Sequence, residues 1–312
     1  MAVYAFVFPG QGSQSVGMGQ DLAQAFPSAR AVFEEVDDAL GENLSKIIFE
    51  GPAENLTSTE NTQPALMAVS MAVLRVLENE GGLDLASTAT LLAGHSLGEY
   101  AALAAARSLG IAQTAKLLRL RGQAMQKAVP AGEGGMAALI GATLEQAEEI
   151  CVQSSKTALV EIANDNGGGQ IVLSGKMAGI DAAIALAKEM KIKRAVKLPV
   201  SAPFHSSLMQ PAETIMAEAL EQATIAAPVV PVIANVTAQR ETDADTIRKN
   251  LVQQVTGRVR WEESVRAMVE MGVDSFVEIG AGKVLSGLIR RIAPDVTTAS
   301  VGTPDDIEAF LK

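Results

Sequence analysis

The run Thr88-Ala-Thr-Leu-Leu-Ala-Gly94-His95-Ser96-Leu97-Gly98-Glu99-Tyr100-Ala-Ala-Leu-Ala-Ala-Ala-Arg107 decides the fold. It opens with a short apolar run of strand length. It closes on an Ala-rich segment without Gly or Pro, which reads as a helix. Between them stands Gly-x-Ser-x-Gly, the nucleophile-elbow pattern, in which a serine sits on a tight strand-to-helix turn and the glycines permit close packing. Such a turn exposes the Ser96 hydroxyl above a helix N-terminus that offers free N–H groups. Five residues of this kind also occur around ordinary N-cap serines. The flanking strand and helix favour Ser96 as a nucleophile.

The rest of the chain bounds what such a serine could serve. A length of 312 residues suits one large domain, or one domain with an insertion, and 48% hydrophobic residues suffice for a sizeable core. A formal net charge of −11 argues against a nucleic-acid partner. A single cysteine, Cys151, allows no disulfide framework and suggests a cytoplasmic setting. Residues 1–8 carry no basic region that would mark a secretory signal. No apolar run is long enough for a membrane span.

Upstream of the elbow, Ala2–Phe8 is a β-branched and aromatic run ending at Pro9-Gly10, a first buried strand. The glycine-rich loop that follows is not a nucleotide loop. Ser15 replaces the third glycine of the dinucleotide fingerprint, and Met18 stands where a phosphate loop needs lysine. Asp21–Leu40 has helical period, and Gln63–Glu80 is a long amphipathic helix.

Downstream, Ile111–Val129 is a helix on whose one face lie Thr114, Leu117, Leu118, Arg121, Met125 and Ala128. Lys116 and Lys127 point elsewhere, so Arg121 alone interrupts an apolar stripe. A buried arginine requires an anionic partner. Either an internal carboxylate such as Glu99, or a substrate carboxylate or phosphate held bidentately, would serve.

From Gly134 the order changes. Strand Met136–Gly141, helix Leu144–Gln153, strand Ala158–Ala163, the turn-rich loop Asn164–Gly169, strand Gln170–Ser174, helix Met177–Met190 and strand Arg194–Val200 follow in turn. This is the β-α-β-β-α-β split unit. It predicts a ferredoxin-like small subdomain over 132–200, inserted into a large α/β body with a mainly parallel sheet formed by 1–131 and 201–312.

Only His95 and His205 could act as a base for Ser96. His95 adjoins the serine on a tight turn and points another way, so it reads as structural. His205, in a loop with prolines before it and serines after it, is the remaining candidate. Leu208–Ala223 is a helix, Val229–Val236 a strand, Asp243–Val255 and Trp261–Met271 helices, and Ser275–Ile279 a last core strand before a helix reaching Arg291. Asn235-Val236-Thr237 matches the glycosylation pattern, but nothing suggests secretion.

Taken together, Phe8-Pro9-Gly10-Gln11-Gly12-Ser13-Gln14, Thr62-Gln63-Pro64-Ala65, Gly94-His95-Ser96-Leu97-Gly98-Glu99-Tyr100, Arg121-Gly122, Phe204-His205 and Glu278-Ile279-Gly280-Ala281-Gly282-Lys283-Val284-Leu285 resemble the malonyl-CoA:acyl-carrier-protein transacylase family of type II fatty-acid synthesis, end to end. The resemblance implies an α/β-hydrolase-like body with a ferredoxin-like insert and an active site between them. It implies Ser96 as nucleophile, His205 as base, Arg121 as the clamp for the malonyl carboxylate, and backbone N–H groups of Gln11 and Leu97 as oxyanion donors. The Gln254 carbonyl would orient His205 in place of a triad acid, with Phe204 and Asn166 as further supporting residues. Many members carry Asn-Pro shortly after the Gln254 position, where this chain has Gly257-Arg258. Phe204 before His205 is similar to malonyl-preferring polyketide acyltransferases. The closest alternative is a serine esterase or thioesterase on a related body; a stand-alone polyketide-pathway acyltransferase, and a non-catalytic module that binds carrier protein, are the others. The resemblance implies malonyl-CoA and acyl carrier protein as substrates, no metal or other cofactor, and a monomer.

Overall fold

The structure is a computed structural model that describes residues 2–200 and 202–312. Met1 and Ser201, the first residues of the two segments expected to form the large body, lie outside the described residues.

The first sheet has six strands. β1 (Tyr4–Phe8) and β2 (Ala89–Gly94) form its centre. Around them lie strands of the later chain, and a second sheet takes the strands of the middle chain: β3 (Gly134–Ile140), β4 (Val160–Asp165), β5 (Gln170–Lys176) and β6 (Arg194–Lys197). The later strands are β7 (Val232–Ile233), β8 (Arg240–Glu241), β9 (Val259–Arg260), β10 (Ser275–Ile279) and β11 (Thr297–Val301). The first sheet runs β11-β10-β1-β2-β7-β8, parallel except for the β7–β8 pair. β1 reads as a continuous apolar run because both faces of this sheet are covered by helices. Phe6 and Phe8 face one core cluster, Ala5 and Val7 another.

The second sheet runs β6-β3-β5-β4-β9. It is antiparallel except for β4–β9. Its fifth strand, β9, comes from outside 132–200 and joins the middle segment to the later chain. Helices Leu144–Ser154 and Met177–Glu189 cover its outer face around Leu139, Ile150, Leu173 and Ile180.

Several expected boundaries move, for physical reasons. Asp21–Leu40 is two helices, Gln20–Ala25 and Pro27–Leu40. Phe26 before Pro27 is held extended, as residues before proline are. The helix expected from Gln63 starts at Thr59 and runs through Pro64 to Asn79. The strand expected over Val229–Val236 shrinks to Val232–Ile233. Pro231 has no N–H to give, although its carbonyl still accepts from Leu92. β4 begins two residues later than expected and takes in Asn164 and Asp165. Ser275–Ile279 is not the last strand: the polar edge strand β11 follows and pairs with it. No helix among the described residues is long and apolar enough to cross a membrane.

Candidate active site

β2 ends at Gly94, and the helix Leu97–Ala105 starts after one sharp turn. Ser96 carries that turn with φ 54° and ψ −111°, a conformation that L-residues hold only when their surroundings enforce it. Both flanking glycines are required by contact. A Cβ on Gly94 would lie 1.9 Å from the Gly98 carbonyl, and one on Gly98 would lie 2.2 Å from the Phe8 carbonyl oxygen. Asn235, just after β7, braces the turn from below. Its Oδ1 accepts from the Ser96 N–H at 2.7 Å and its Nδ2 donates to the Gly94 carbonyl at 2.7 Å.

His205 approaches from a distant loop, itself at φ 55°. Its Nε2 lies 2.7 Å from Ser96 Oγ. Its Nδ1 faces the carbonyl oxygens of Gln254 at 2.9 Å and Gly257 at 3.2 Å. Two carbonyls can only accept, so Nδ1 carries the proton and Nε2 presents a lone pair to the serine hydroxyl. Burial, and next the Arg121 charge, hold the imidazole down to a pKa of about 3. It is therefore neutral and ready to accept a proton at neutral pH. His95 points away, as expected. Its Nε2 donates to Asn166 Oδ1 at 2.7 Å and its ring lies 5.7 Å from that of Trp261.

Arg121 lies 1% exposed on the helix Ile111–Lys127. Its neighbour Gly122 lets this helix press against Thr59 and Glu60 at the start of the helix Thr59–Asn79, where a Cβ would come within 2.7 Å of backbone. The approach brings Arg121 to Gln63. One guanidinium nitrogen donates to Gln63 Oε1 at 2.7 Å; the other donates to Gln254 Oε1 at 2.9 Å and to Ser96 Oγ at 3.2 Å. The Tyr100 ring lies 5.7 Å from Cζ. Among the described residues no carboxylate forms an ion pair with Arg121. Nε has no partner either. Glu99, the internal alternative, instead accepts from Gln254 Nε2 at 2.7 Å and from the Asn235 N–H at 3.1 Å.

These groups open on a cavity of about 220 Å³ between the two sheets. Gln11, Leu97, Asn166 and Phe204 line it beside Ser96, Arg121 and His205. The backbone N–H groups of Gln11 and Leu97 make no hydrogen bond among the described residues. All eight residues singled out from the sequence, Gln254 included, are thus brought together. Three contributions were not foreseen: the side chain of Gln63, the side chain of Gln254, and Asn235, which sequence reading set aside as an irrelevant glycosylation pattern. The signal for the first two was the buried arginine itself, whose five donors demand acceptors.

The family model for the acyl transferase domain matches residues 5–303. The malonyl CoA-acyl carrier protein transacylase of Bacillus subtilis strain 168 is 45% identical, over 100% of this chain and 97% of its own length. That of Escherichia coli K12 is 42% identical over 100% of both. The crystal structure of an acyl-carrier-protein-S-malonyltransferase from Bartonella henselae superposes with a TM-score of 0.97 at 56% identity, covering 99% of this chain and 98% of the other. A malonyl-transacylase solved in complex with a type II polyketide acyl carrier protein superposes with a TM-score of 0.95 at 41% identity, covering 99% of each. The chain belongs to the acyl transferase family, whose mixed α/β fold it shares, and within it to the malonyl-CoA:acyl carrier protein transacylases.

Proposed function

We propose that this chain moves malonyl from CoA to the pantetheine thiol of acyl carrier protein through a malonyl ester on Ser96. The observation that carries this reading is the placement of Ser96 Oγ 2.7 Å from a neutral imidazole and 3.2 Å from a guanidinium without an anion. His205 Nε2 takes the hydroxyl proton as Oγ attacks the thioester carbonyl. The oxyanion settles on the free N–H groups of Gln11 and Leu97, each worth about 3–4 kcal/mol in such sites. The imidazolium, steadied through Nδ1 by the Gln254 and Gly257 carbonyls, then protonates the departing thiolate. The carrier thiol enters, gives its proton to His205, and the steps reverse.

Arg121 selects the acyl group. The malonyl carboxylate carbon stands three bonds from Oγ, within reach of the guanidinium nitrogen that already touches Oγ. Acetyl would leave that charge buried without an anion, a penalty that can reach several powers of ten in rate. In this reading the first sheet forms a hydrolase-like large subdomain and β3–β6 a ferredoxin-like small one, with the cavity in the cleft between them. The clamp favours a carboxylate-bearing acyl group over a simple ester, because a hydrolase for simple esters gains nothing from a buried arginine.

The test is an intact mass after mixing with malonyl-CoA alone. A malonyl adduct on the wild type, absent from Ser96→Ala and weak with acetyl-CoA, is the expected result. Free malonate without an adduct would move the reading to a hydrolase. Neither adduct nor turnover would leave a binding module.

A further inference from the structure

Gln254 sits between two opposite charges and its amide can face only one way. Nε2 donates to the Ser96 carbonyl at 2.9 Å and to Glu99 Oε2 at 2.7 Å. The carbonyl end is therefore turned to Arg121 at 2.9 Å. One amide thus spaces the buried guanidinium from a carboxylate that is 3% exposed and makes no ion pair among the described residues. Glu99 accepts only from this amide and from the Asn235 N–H among the described residues. The charged groups turned toward it are Arg121 from the helix Ile111–Lys127 and Glu241 from β8, with Tyr100 on its own helix. Strands β1, β2 and β7 bring no charged residue to it. On the helix Thr59–Asn79, Arg75 and Glu78 pair with each other, leaving Glu60 at its start.

Before substrate enters, Arg121 and Glu99 balance. A malonyl carboxylate paired with Arg121 adds a second negative charge to a site with little water, and two anions sharing one cation cannot both stay ionised cheaply. We propose that Glu99 is a specificity-determining, positioning residue: it fixes the Gln254 amide for Arg121, and it takes up one proton from solvent when malonyl, but not acetyl, is loaded. The uptake returns the enclosed site to neutrality. Glu99 is poised for this, since burial, opposed by its hydrogen bonds to Gln254 and Asn235, raises it to about 7. Malonyl preference then depends on pH, stronger below this value and weaker above it.

The inference rests on the role of Arg121 proposed above, and its test separates the two. Enzyme in weak buffer at about pH 7.5 is mixed with malonyl-CoA, proton uptake is followed with an indicator dye, and the Ser96 adduct is measured in the same sample. In the chemistry at Ser96 the serine proton leaves on the CoA thiol, so loading itself consumes none. The wild type should take up most of one proton per adduct, acetyl-CoA should give none, and Glu99→Gln, which keeps both hydrogen bonds, should give none. In parallel, kcat/KM for malonyl-CoA should fall toward tenfold per pH unit above about 7 in the wild type, and stay flat in Glu99→Gln and for acetyl-CoA. A purely structural Glu99 would lower rates equally at every pH. An adduct without uptake, or equal uptake in Glu99→Gln, overturns the inference alone. An absent adduct overturns the Ser96 reading and this inference with it.

Discussion

Replacing Arg121 by methionine removes the guanidinium while keeping most of its volume, so the helix Ile111–Lys127 should still pack. The donors facing the cavity are those now bonded to Gln63, Gln254 and Ser96, at 2.7, 2.9 and 3.2 Å. A malonyl carboxylate would draw on two of them. Hydrogen bonds to a charged group contribute about 1.5–3 kcal/mol each, so the pair amounts to about 3–6 kcal/mol. If that interaction is made fully in the transition state, kcat/KM for malonyl-CoA falls by roughly two to four powers of ten. Acetyl-CoA loses nothing, because it has no carboxylate to pair. It gains modestly where an unpaired buried charge is replaced by a thioether. The assay is loading of Ser96 from each thioester, by stopped-time intact mass, for wild type, Arg121→Met and Arg121→Ala. The malonyl-to-acetyl ratio should collapse in both variants. A ratio that stays unchanged while both rates drop would refute the clamp and leave Arg121 a structural residue.

Other consequences follow from the same geometry. Because His205 is held at about 3, kcat/KM for acetyl-CoA should stay flat from neutral pH down to about pH 5, and half-loss near 6.5 would contradict its buried state. Its depressed value also means that the unfolded chain binds a proton the folded one refuses, so this group's contribution to stability is lost as pH falls from about 6.5 toward 3, visible in urea melts. Gly94→Ala sets a Cβ 1.9 Å from the Gly98 carbonyl and should cost more than about 3 kcal/mol in urea unfolding, whereas Gly287→Ala, in a helix with nothing within 4 Å, should stabilise by up to about 1 kcal/mol; equal effects would mean the elbow can relax. Lys283 caps the start of the helix Val284–Ile292 and Arg290 and Arg291 stand in its last turn, while its Val284, Leu285 and Leu288 line the cavity. If an acidic carrier protein docks on this face, reversing their charge should slow delivery to it several-fold and spare loading from malonyl-CoA, and equal losses in both half-reactions would exclude the face from docking.

The elbow was legible because its requirements are local. A strand, a tight turn and a helix must follow within some twenty residues, and Gly94 is dictated by Gly98, four positions away, although Gly98 itself is dictated by the backbone of Phe8 on β1. His205 was legible by elimination, since only two histidines exist and the other adjoins Ser96 on a tight turn that points it elsewhere. Arg121 was legible because a charge on an apolar stripe is an anomaly that periodicity exposes. What the sequence hid was what depends on tertiary meeting. β7, β8 and β9 are two residues each, too short for any alternating pattern, and exist only because β2 and β4 are there to pair with. β11 escaped because an edge strand of Thr, Ala and Ser lacks an apolar face. Gln63, Gln254 and Asn235 are neutral amides, with neither a period nor a charge to betray them, and each acquires its role from donors that the fold delivers.

The choice of amides around Arg121 has its own logic. A buried guanidinium needs acceptors, and a carboxylate at position 63 or 254 would supply them more strongly. It would also neutralise the charge permanently, and the substrate carboxylate would then have to displace an internal anion. Gln63 and Gln254 hold the fork in place with neutral oxygens and leave its charge unanswered. Among the described residues the carboxylate that acts on Arg121, Glu99, is kept a full amide away, close enough to lower the cost of the buried cation and too far to bond it. Position, not residue type, thus separates the anion that supports Arg121 from the anion proposed as its substrate partner.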